Sequence, residues 1–318
     1  MANKIVERIL KEADNPDLLE TLTQRLSLSD LQSLLLEVYR QRTRKLTVTR
    51  LLRQYAQNRF VQPAQASPLR QLELDRLAYS LLPAGFEAIE LSPVAPLGTN
   101  SIVATVDQNT TVTTIRNTEV CSDSTNVMAL ECARRRREML KRDPRTTTRI
   151  KLCASHRLLR AQVFRGPVSF PHFRVLALCT AGRDEGSYQF ETTSLSEQID
   201  FYLQLVAASK ELGFAIGQVR TQLTAFADER YEALSIEVLE KLAAKHPGVD
   251  FEFDQGRESG RGYYLGAGFQ IYIGDLSGEA YLIGDGGFTD WTQQFLSNRK
   301  ERLLISGFGS ERFVYIFG

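Results

Sequence analysis

The chain has 318 residues, of which 43% are hydrophobic, and its 39 Lys and Arg residues against 38 Asp and Glu residues give a formal net charge of +1. This length is typical of one large domain or of two unequal domains, and the apolar content is enough to bury a substantial core. A balance this close to neutral excludes binding of polyanions through bulk charge, so any nucleic-acid contact needs a local basic patch.

Targeting and metal signals are absent from the sequence. No apolar run reaches the roughly 20 residues that a membrane helix needs, and the charged N-terminus has no signal-peptide core. The four cysteines form no CxxC pair, and the three histidines have no metal-type spacing. We therefore predict a cytoplasmic protein with no membrane partner and no metal held by these residues.

Residues 1–66 are predicted to form a small helical domain. A helix start is expected at Asn15, where Asn-Pro-Asp precedes an apolar stripe. Ser29 with Gln32 predicts a capping box, and a third helix is expected over residues 48–60.

Basic residues cluster from Arg40 to Arg59 on the polar face of these helices. A contact with RNA phosphates and an ordinary solvated helix face both account for such a cluster. The two prolines in residues 61–70 indicate a linker. We therefore place a domain boundary there and assign 67–318 to the second domain.

The second domain is predicted to be α+β, with an antiparallel sheet flanked by helices on one side. Helices are expected over 69–82, 125–142, 194–213 and 230–246. Strands are expected over 86–91, 151–154, 172–180, 268–273 and 280–283 and from about 303, with a hairpin of 101–106 and 111–116.

Glycines crowd the C-terminal strands of this domain and suggest a site where a ligand approaches backbone closely. Tight turns or strand packing account for them equally well. Arg312, in a Gly-Ser-Glu-Arg run, could hold a phosphate through its planar fork or form a surface ion pair with Glu311 or Asp290. The glycines are Gly284, Gly286, Gly287, Gly307 and Gly309.

The order of these elements resembles the catalytic core of class II aminoacyl-tRNA synthetases, and in particular the histidyl-tRNA synthetase branch. The resemblance covers residues 69–318 and rests on six stretches in the family's order. They are GFEAIELSP, CSDSTNVMALECARRR, ASHRLLRAQVFRGPVSFPHF, RGYYLGAGFQIY, GDGGFTDW and GFGSERF. It implies a homodimer through the region of Pro93, and ATP with magnesium as cofactors.

The resemblance also implies roles for individual residues. Arg157 falls where an arginine grips the α-phosphate and the carboxylate being activated, and Arg312 falls on the γ-phosphate. The residues expected beside the nucleotide are Phe170, Phe173, Gly307, Gly309 and Glu311. Those expected around the substrate are Asp123, Thr125, His172, Tyr263, Tyr264, Gly286 and Gly287.

Four of these residues have structural alternatives. Asp123 is also a suitable N-cap for the helix that follows it, and one side chain could do both jobs. His172 could be a satisfied core histidine, and Tyr263 and Tyr264 could be sheet packing.

Several residues depart from the histidyl pattern. Leu159 stands in place of the glutamate that reads adenine, while His172 and Leu176 replace the substrate-reading pair. Gly262 replaces the acid before the tyrosines, and the catalytic arginine falls at about Ser259, which Arg257 and Arg261 flank. These changes indicate a substrate other than histidine.

The chain ends after the third motif, where an anticodon-binding domain is expected in this branch, which argues against ordinary tRNA charging. Three hypotheses follow. The first is an ATP-dependent ligase that adenylates a small carboxylic acid and passes it to an RNA or a carrier. The second is a non-catalytic, ligand-sensing regulatory subunit. The third is RNA binding by the N-terminal helices, which is compatible with the first.

Overall fold

The computed structural model describes residues 3–104, 106–162, 168 and 170–318. These residues contain ten α-helices and ten β-strands. The helices are α1 (Lys4–Glu12), α2 (Leu18–Glu20), α3 (Leu28–Thr43), α4 (Val48–Gln57), α5 (Pro68–Ser80), α6 (Ser124–Arg142), α7 (Gln189–Ser209), α8 (Glu229–Lys245), α9 (Trp291–Leu296) and α10 (Ser310–Phe317). The strands are β1 (Phe86–Ala88), β2 (Val94–Pro96), β3 (Thr118–Val120), β4 (Ile150–Leu159), β5 (His172–Arg183), β6 (Val219–Ala225), β7 (Val249–Phe253), β8 (Leu265–Gly274), β9 (Ala280–Thr289) and β10 (Glu301–Phe308).

Eight of these strands form one sheet in the order β1-β4-β5-β10-β9-β8-β6-β7. The six central strands pair antiparallel, and a parallel pair lies at each edge, β1 with β4 and β6 with β7. The predicted α+β class, with helices flanking a sheet, is confirmed. The predicted glycine strands are neighbours, because β9 and β10 pair along six residues, from Leu303 opposite Thr289 to Phe308 opposite Gly284.

The sheet buries apolar side chains on both faces because successive strand residues point in opposite directions. Leu178 of β5 packs in the core beneath α5, α7, α8 and α10, which we call the helix-rich face. Its neighbour Cys179 packs with α6 and α9 on the other side, which we call the open face. The expectation of helices on one side alone was therefore wrong.

A buried ion pair joins α6 to the start of β10. Arg136 and Glu301 are both fully buried, with Nε–Oε2 at 2.8 Å and Nη2–Oε1 at 2.9 Å. Arg136 also donates to the carbonyl of Thr148 at 2.7 Å. Its neighbours Arg134 and Arg135 form ion pairs elsewhere, so the four consecutive arginines form no common patch, as their successive helix positions indicate.

The predicted hairpin of 101–106 and 111–116 is wrong. The buried carboxylate of Glu119 instead accepts hydrogen bonds from Gly98 N, Asn100 N and Nδ2, and Gln108 Nε2, at 2.6–3.0 Å. Burial acts to raise its pKa, but these donors outweigh it and lower the pKa. A carboxylate that accepts this many hydrogen bonds holds the segment in loops. A strand prediction based on alternating polarity takes no account of such hydrogen bonds.

Some helix starts were predicted closely from the sequence and others were not. The helix expected from residue 69 begins one residue earlier, at Pro68, with Ser67 as its cap. The helix expected from residue 194 begins at Gln189, so Ser194 lies buried inside α7. In the N-terminal segment the cap of α3 is Ser27, whose hydroxyl accepts from Asp30 N at 3.1 Å, and not Ser29. Several hydroxyls near a helix start satisfy the same pattern, so the sequence cannot choose among them.

The N-terminal helices bury little surface. None of α1 to α4 contains a buried residue. Two contacts connect the segment after α4 to the sheet. Arg59 Nη2 donates to the carbonyl of Gln162 at 2.5 Å, and His172 Nε2 lies 2.7 Å from the carbonyl of Gln62. The domain division at residue 67 stays a prediction. None of the described helices has the length and hydropathy to cross a bilayer.

We predict that Glu301→Ala lowers the free energy of unfolding by about 3–5 kcal/mol, because it leaves the Arg136 charge buried without its partner. Chemical denaturation followed by circular dichroism measures this. Glu138→Ala, which removes the exposed partner of Arg134 on the same helix, is the control and should leave the unfolding midpoint unchanged. Equal midpoints for the two variants would contradict the assignment.

Candidate functional site

The part of the open face that α6 and α9 leave uncovered holds a cavity of about 270 Å³, which we call the first chamber. Three neighbouring strands supply its floor: β5 with Phe173 and Val175, β10 with Ile305 and Gly307, and β9 with Asp285. Residues on paired antiparallel strands share a face, as Gly307 and Asp285 do, so the register of the sheet places these side chains together.

A second cavity of about 300 Å³, the second chamber, adjoins the first. Five residues line both: Asp123, Arg160, Tyr263, Tyr264 and Asp285. The two chambers are therefore parts of one site, and these five residues mark the passage between them.

The glycines of the C-terminal strands serve two purposes. Gly307 and Gly309 line the first chamber, and a Cβ at Gly309 would meet nothing closer than 3.6 Å. Gly286 and Gly287 line neither chamber. A Cβ at Gly286 would lie 2.5 Å from Ser306 Cβ, and one at Gly287 would lie 2.6 Å from the Tyr264 ring. These two glycines make room for packing, which was the alternative to a ligand role.

Two arginines converge on the first chamber, Arg312 at the start of α10 and Arg160 just after β4. Arg312 donates to the carbonyl of Leu282 at 3.2 Å, and among the described residues it has no carboxylate partner. Burial, and then the positive charge of Arg160, lower the pKa of Arg312. The ion pair proposed between Arg312 and Glu311 or Asp290 does not form, so Arg312 presents to a ligand a positive charge that no described carboxylate neutralises.

Arg157, the arginine expected at the α-phosphate, does not line either chamber. It lies on the helix-rich face, where its Nη1 is 3.0 Å from Oε2 of the buried Glu311 and 2.9 Å from Nδ1 of His172. Successive strand residues alternate between faces, so Leu158 lines the chamber and Arg157 points away from it.

Glu311 and His172 share this position on the helix-rich face and are likewise absent from the chamber lining. His172 has partners on both ring nitrogens, which fits the alternative of a satisfied histidine.

Asp123 caps a helix and also lines the site. Its Oδ1 accepts from Thr125 N at 2.9 Å and from Thr125 Oγ1 at 2.8 Å, so it caps α6. Its Oδ2 lies 3.3 Å from Arg160 Nη2, and it lines both chambers. Thr125 lines the first chamber beside it.

The aromatic residues expected at the site are there. Phe170 and Phe173 line the first chamber, and the guanidinium of Arg160 lies 5.1 Å from the centre of the Phe173 ring. Tyr263 and Tyr264 line both chambers with ring centres 4.9 Å apart, and burial raises the pKa of each phenol well above its usual value. Both phenols therefore stay protonated and can donate hydrogen bonds.

Sequence reasoning missed three charged residues at the site and named a fourth, Arg257, only as a neighbour of the expected catalytic arginine. Arg160, Arg174 and Asp285 line it, and Arg257 holds Asp285 with Nη2 3.0 Å from Oδ1. Burial raises the pKa of Asp285, and the charge of Arg257 only partly opposes the shift. The one sequence signal for Arg160 was strand alternation from Leu158, which puts Arg160 and not Arg157 on the chamber side.

Comparison with solved structures identifies the fold. A protein described as an ATP phosphoribosyltransferase regulatory subunit/histidyl-tRNA synthetase from Bacillus halodurans matches at a TM-score of 0.59 and 12% identity, over 81% of this chain and 83% of that one. Histidyl-tRNA synthetase from Nostoc matches at 0.54 and 14%, over 80% and 73%. The chain has the class II aminoacyl-tRNA synthetase fold.

Threonyl-tRNA synthetase from Cryptosporidium parvum, in a structure described as its RNA binding domain, also matches, at a TM-score of 0.55 and 12% identity over 78% of this chain and 62% of that one. No protein-family model and no curated protein sequence matches the chain. At these identities the likeness to solved structures concerns the fold alone.

Metal-binding side chains do not cluster at the site. In the part of the chain that the structure describes, no group of three or more His, Cys, Asp or Glu residues is placed to hold a metal ion.

We predict that Gly286→Ala lowers the unfolding free energy by about 1–3 kcal/mol, since the new methyl group would overlap Ser306 and the Phe269 ring. Gly309→Ala is the matched substitution on the chamber side and should leave thermal stability unchanged, because nothing lies within 3.6 Å of its Cβ. Differential scanning calorimetry distinguishes the two. Loss of stability in Gly309→Ala alone would reverse the assignment of these glycines.

Proposed function

We propose that this protein binds ATP in the first chamber and adenylates a small carboxylic acid, an amino acid other than histidine, held in the second. The observation that carries the proposal is the convergence of Arg160 and Arg312 on one glycine-lined chamber. Two guanidiniums that repel each other are stabilised by a polyanion, and a triphosphate offers both the charge and the acceptor oxygens.

The positions of the two arginines suggest a division of labour. Arg160 lies at the passage between the chambers, where the α-phosphate would meet the substrate carboxylate, and it takes the role first expected of Arg157. Arg312, farther along at the start of α10, would hold the outer phosphates. Phe173, on the same wall as Arg160, would stack on the adenine ring.

The chemistry needs no covalent nucleophile from the protein. A carboxylate oxygen forms a bond to the α-phosphorus, and the bond to the bridging oxygen of pyrophosphate breaks, so an acyl-adenylate and pyrophosphate result. Both reactants are anions, and fixed positive charge between them lowers the barrier to their approach. Holding them in adjoining chambers supplies orientation.

Magnesium is part of the proposal as a companion of the triphosphate. Glu311, the acidic residue of the third motif, is held by Arg157 on the helix-rich face. The ion would therefore be bound mainly by phosphate oxygens and water, which is the usual situation for magnesium at nucleotide sites.

We predict that Arg312→Gln weakens binding of ATP with magnesium by roughly 10- to 100-fold, because charge-assisted hydrogen bonds to a phosphate are lost. The ligand-free protein should melt at the same or a higher temperature, since the variant removes a buried charge that Arg160 repels. Isothermal titration and thermal shift measure the two effects.

Arg157→Lys is the control for this series, because it keeps an ammonium for Glu311 and should leave ATP affinity unchanged. The reverse pattern, with ATP binding lost in Arg157→Lys and kept in Arg312→Gln, would refute the assignment of the chamber. Pyrophosphate exchange across a panel of amino acids then tests the chemistry, and absence of exchange with every acid would count against adenylation.

A non-catalytic, ligand-sensing subunit is the second candidate. It is favoured by Leu159, which stands where the adenine-reading glutamate is expected, and by the description of the Bacillus halodurans neighbour as a regulatory subunit/histidyl-tRNA synthetase. This function predicts ATP or amino-acid binding without exchange. Stoichiometric conversion of ATP to pyrophosphate and an acyl-adenylate would exclude it.

The acceptor that we propose for the activated acid is RNA, bound by α3, α4 and the segment after them. Residues 38–66 contain no Asp or Glu, and seven exposed or half-buried cations lie among them: Arg40, Arg42, Arg44, Lys45, Arg50, Arg53 and Arg59. Tyr39 and Tyr55 are exposed beside them and could stack on bases. Arg59 contacts Gln162, which lines the second chamber, so this surface adjoins the site.

We predict that the protein binds single-stranded RNA with an affinity that falls roughly 100-fold between 50 and 200 mM salt, as expected if about five phosphates are contacted. Arg50→Glu with Arg53→Glu should weaken binding and flatten the salt dependence. Arg76→Glu with Lys241→Glu changes the net charge equally outside the surface and should have little effect. Fluorescence anisotropy measures all three, and salt-independent binding or none would contradict RNA as the acceptor.

A homodimer is the assembly that we propose, on the resemblance of the segment around Pro93 to the family's first motif. Sedimentation equilibrium of the full chain tests it directly.

A further inference from the structure

We propose that the second chamber binds a basic α-amino acid and that Asp285 holds the cationic group of its side chain. The inference deepens the proposed function, since it names the class of acid that the site would activate. It rests on Asp285, which the sequence comparison with synthetases did not single out.

Asp285 occupies a fixed position between the chambers. It lies on β9 opposite Gly307 of β10 and Gln270 of β8, and its side chain is 40% exposed. Arg257 holds one carboxylate oxygen at 3.0 Å, while Arg257 itself is only 3% exposed. The guanidinium lies against the rings of Phe226 and Tyr264 and cannot follow a ligand, so it orients Asp285 toward the chambers.

The charges around the second chamber match an amino acid with one extra positive charge. Among the described residues, three charged side chains line it: Asp123, Asp285 and Arg160. Arg160 adjoins the first chamber and suits the carboxylate to be activated, and Asp123 beside it suits the α-ammonium group. Asp285 is then left for a second cation.

The pairing with Arg257 does not satisfy Asp285. Burial still raises the pKa of its carboxyl group despite that guanidinium, so its ionised form gains from a further positive partner. An uncharged side chain in the chamber would cover the exposed part of this carboxylate without compensation, and an acidic one would be repelled by it.

Asn126 supplies a second, independent indication. Its side chain lines the same chamber and is 1% exposed, and its Nδ2 donates to Asn100 Oδ1 at 3.0 Å. This bond sets the orientation of the amide, and the Oδ1 atom is left without a hydrogen-bond partner among the described residues. A buried acceptor without a donor is costly, and a ligand ammonium is a donor that relieves the cost.

Calorimetric titration of the full chain tests the inference, with and without a non-hydrolysable ATP analogue. The probes are lysine, ornithine and arginine, against norleucine, which has lysine's aliphatic chain without the amine, and against glutamate. We expect at least one basic amino acid to bind tenfold or more tightly than norleucine, with glutamate weaker still. Norleucine or glutamate binding as well as every basic amino acid would overturn it.

Asp285→Asn should lower the affinity for the basic amino acid at least tenfold, to that of norleucine. Because this variant strands the buried Arg257 charge, the double variant Asp285→Asn with Arg257→Gln is measured beside it and should show the same loss. Asp290→Asn, the same charge change outside both chambers, is the control. Unchanged selectivity in a folded double variant would overturn the role of Asp285.

The outcome for ATP is separate. Failure of every amino acid to bind, while ATP binds, would overturn this inference and leave the nucleotide site standing. If the protein binds basic amino acids but does not bind ATP, that result would support this inference and count against the proposed adenylation.

Discussion

The absence of side chains at two positions of β9 determines where the site can form. Gly286 admits the ring of Phe269 and the backbone of β10 from the helix-rich face, and Gly287 admits the ring of Tyr264 from the open face. Close packing leaves no room for even a methyl group at either place. Tyr264 can therefore pack against the central strands, where it lines both chambers and lies beside the Arg257 guanidinium.

The distribution of charge over the two faces follows from the same sheet. Arg157 and Arg160 are three residues apart and so lie on opposite faces, one neutralised by Glu311 and the other at the chambers. Because the charged neighbours of the two arginines differ, the two side chains can have different functions. Arg157, paired with a buried carboxylate, is structural, whereas Arg160 pairs with Asp123 at the chamber wall and lies near a second guanidinium, which suits an anion. Arg312 supplies that second charge.

Much of the architecture could be predicted from sequence. The α+β class, the proximity of the glycine strands and the start of α5 at Pro68 follow from periodicity and local turn chemistry, which act between residues close in the chain. The predicted hairpin of 101–116 failed because Glu119 draws its donors from up to 21 residues away. The placement of Arg157 failed for a related reason, since motif similarity carries no information on which face a strand residue occupies.

The sequence by itself determined the order of elements, the helix cap at Asp123, and the presence of arginines and glycines suited to a phosphate. Only the tertiary structure decided which of them meet. Arg160 faces Asp123 from 37 residues away, and Arg257 holds Asp285 across 28. Such pairs depend on strand register and on side-chain parity, and a shift of one residue would exchange the two faces. The chemistry of the site is therefore a property of the pairing of β4, β5, β10 and β9, which no short stretch of the chain contains.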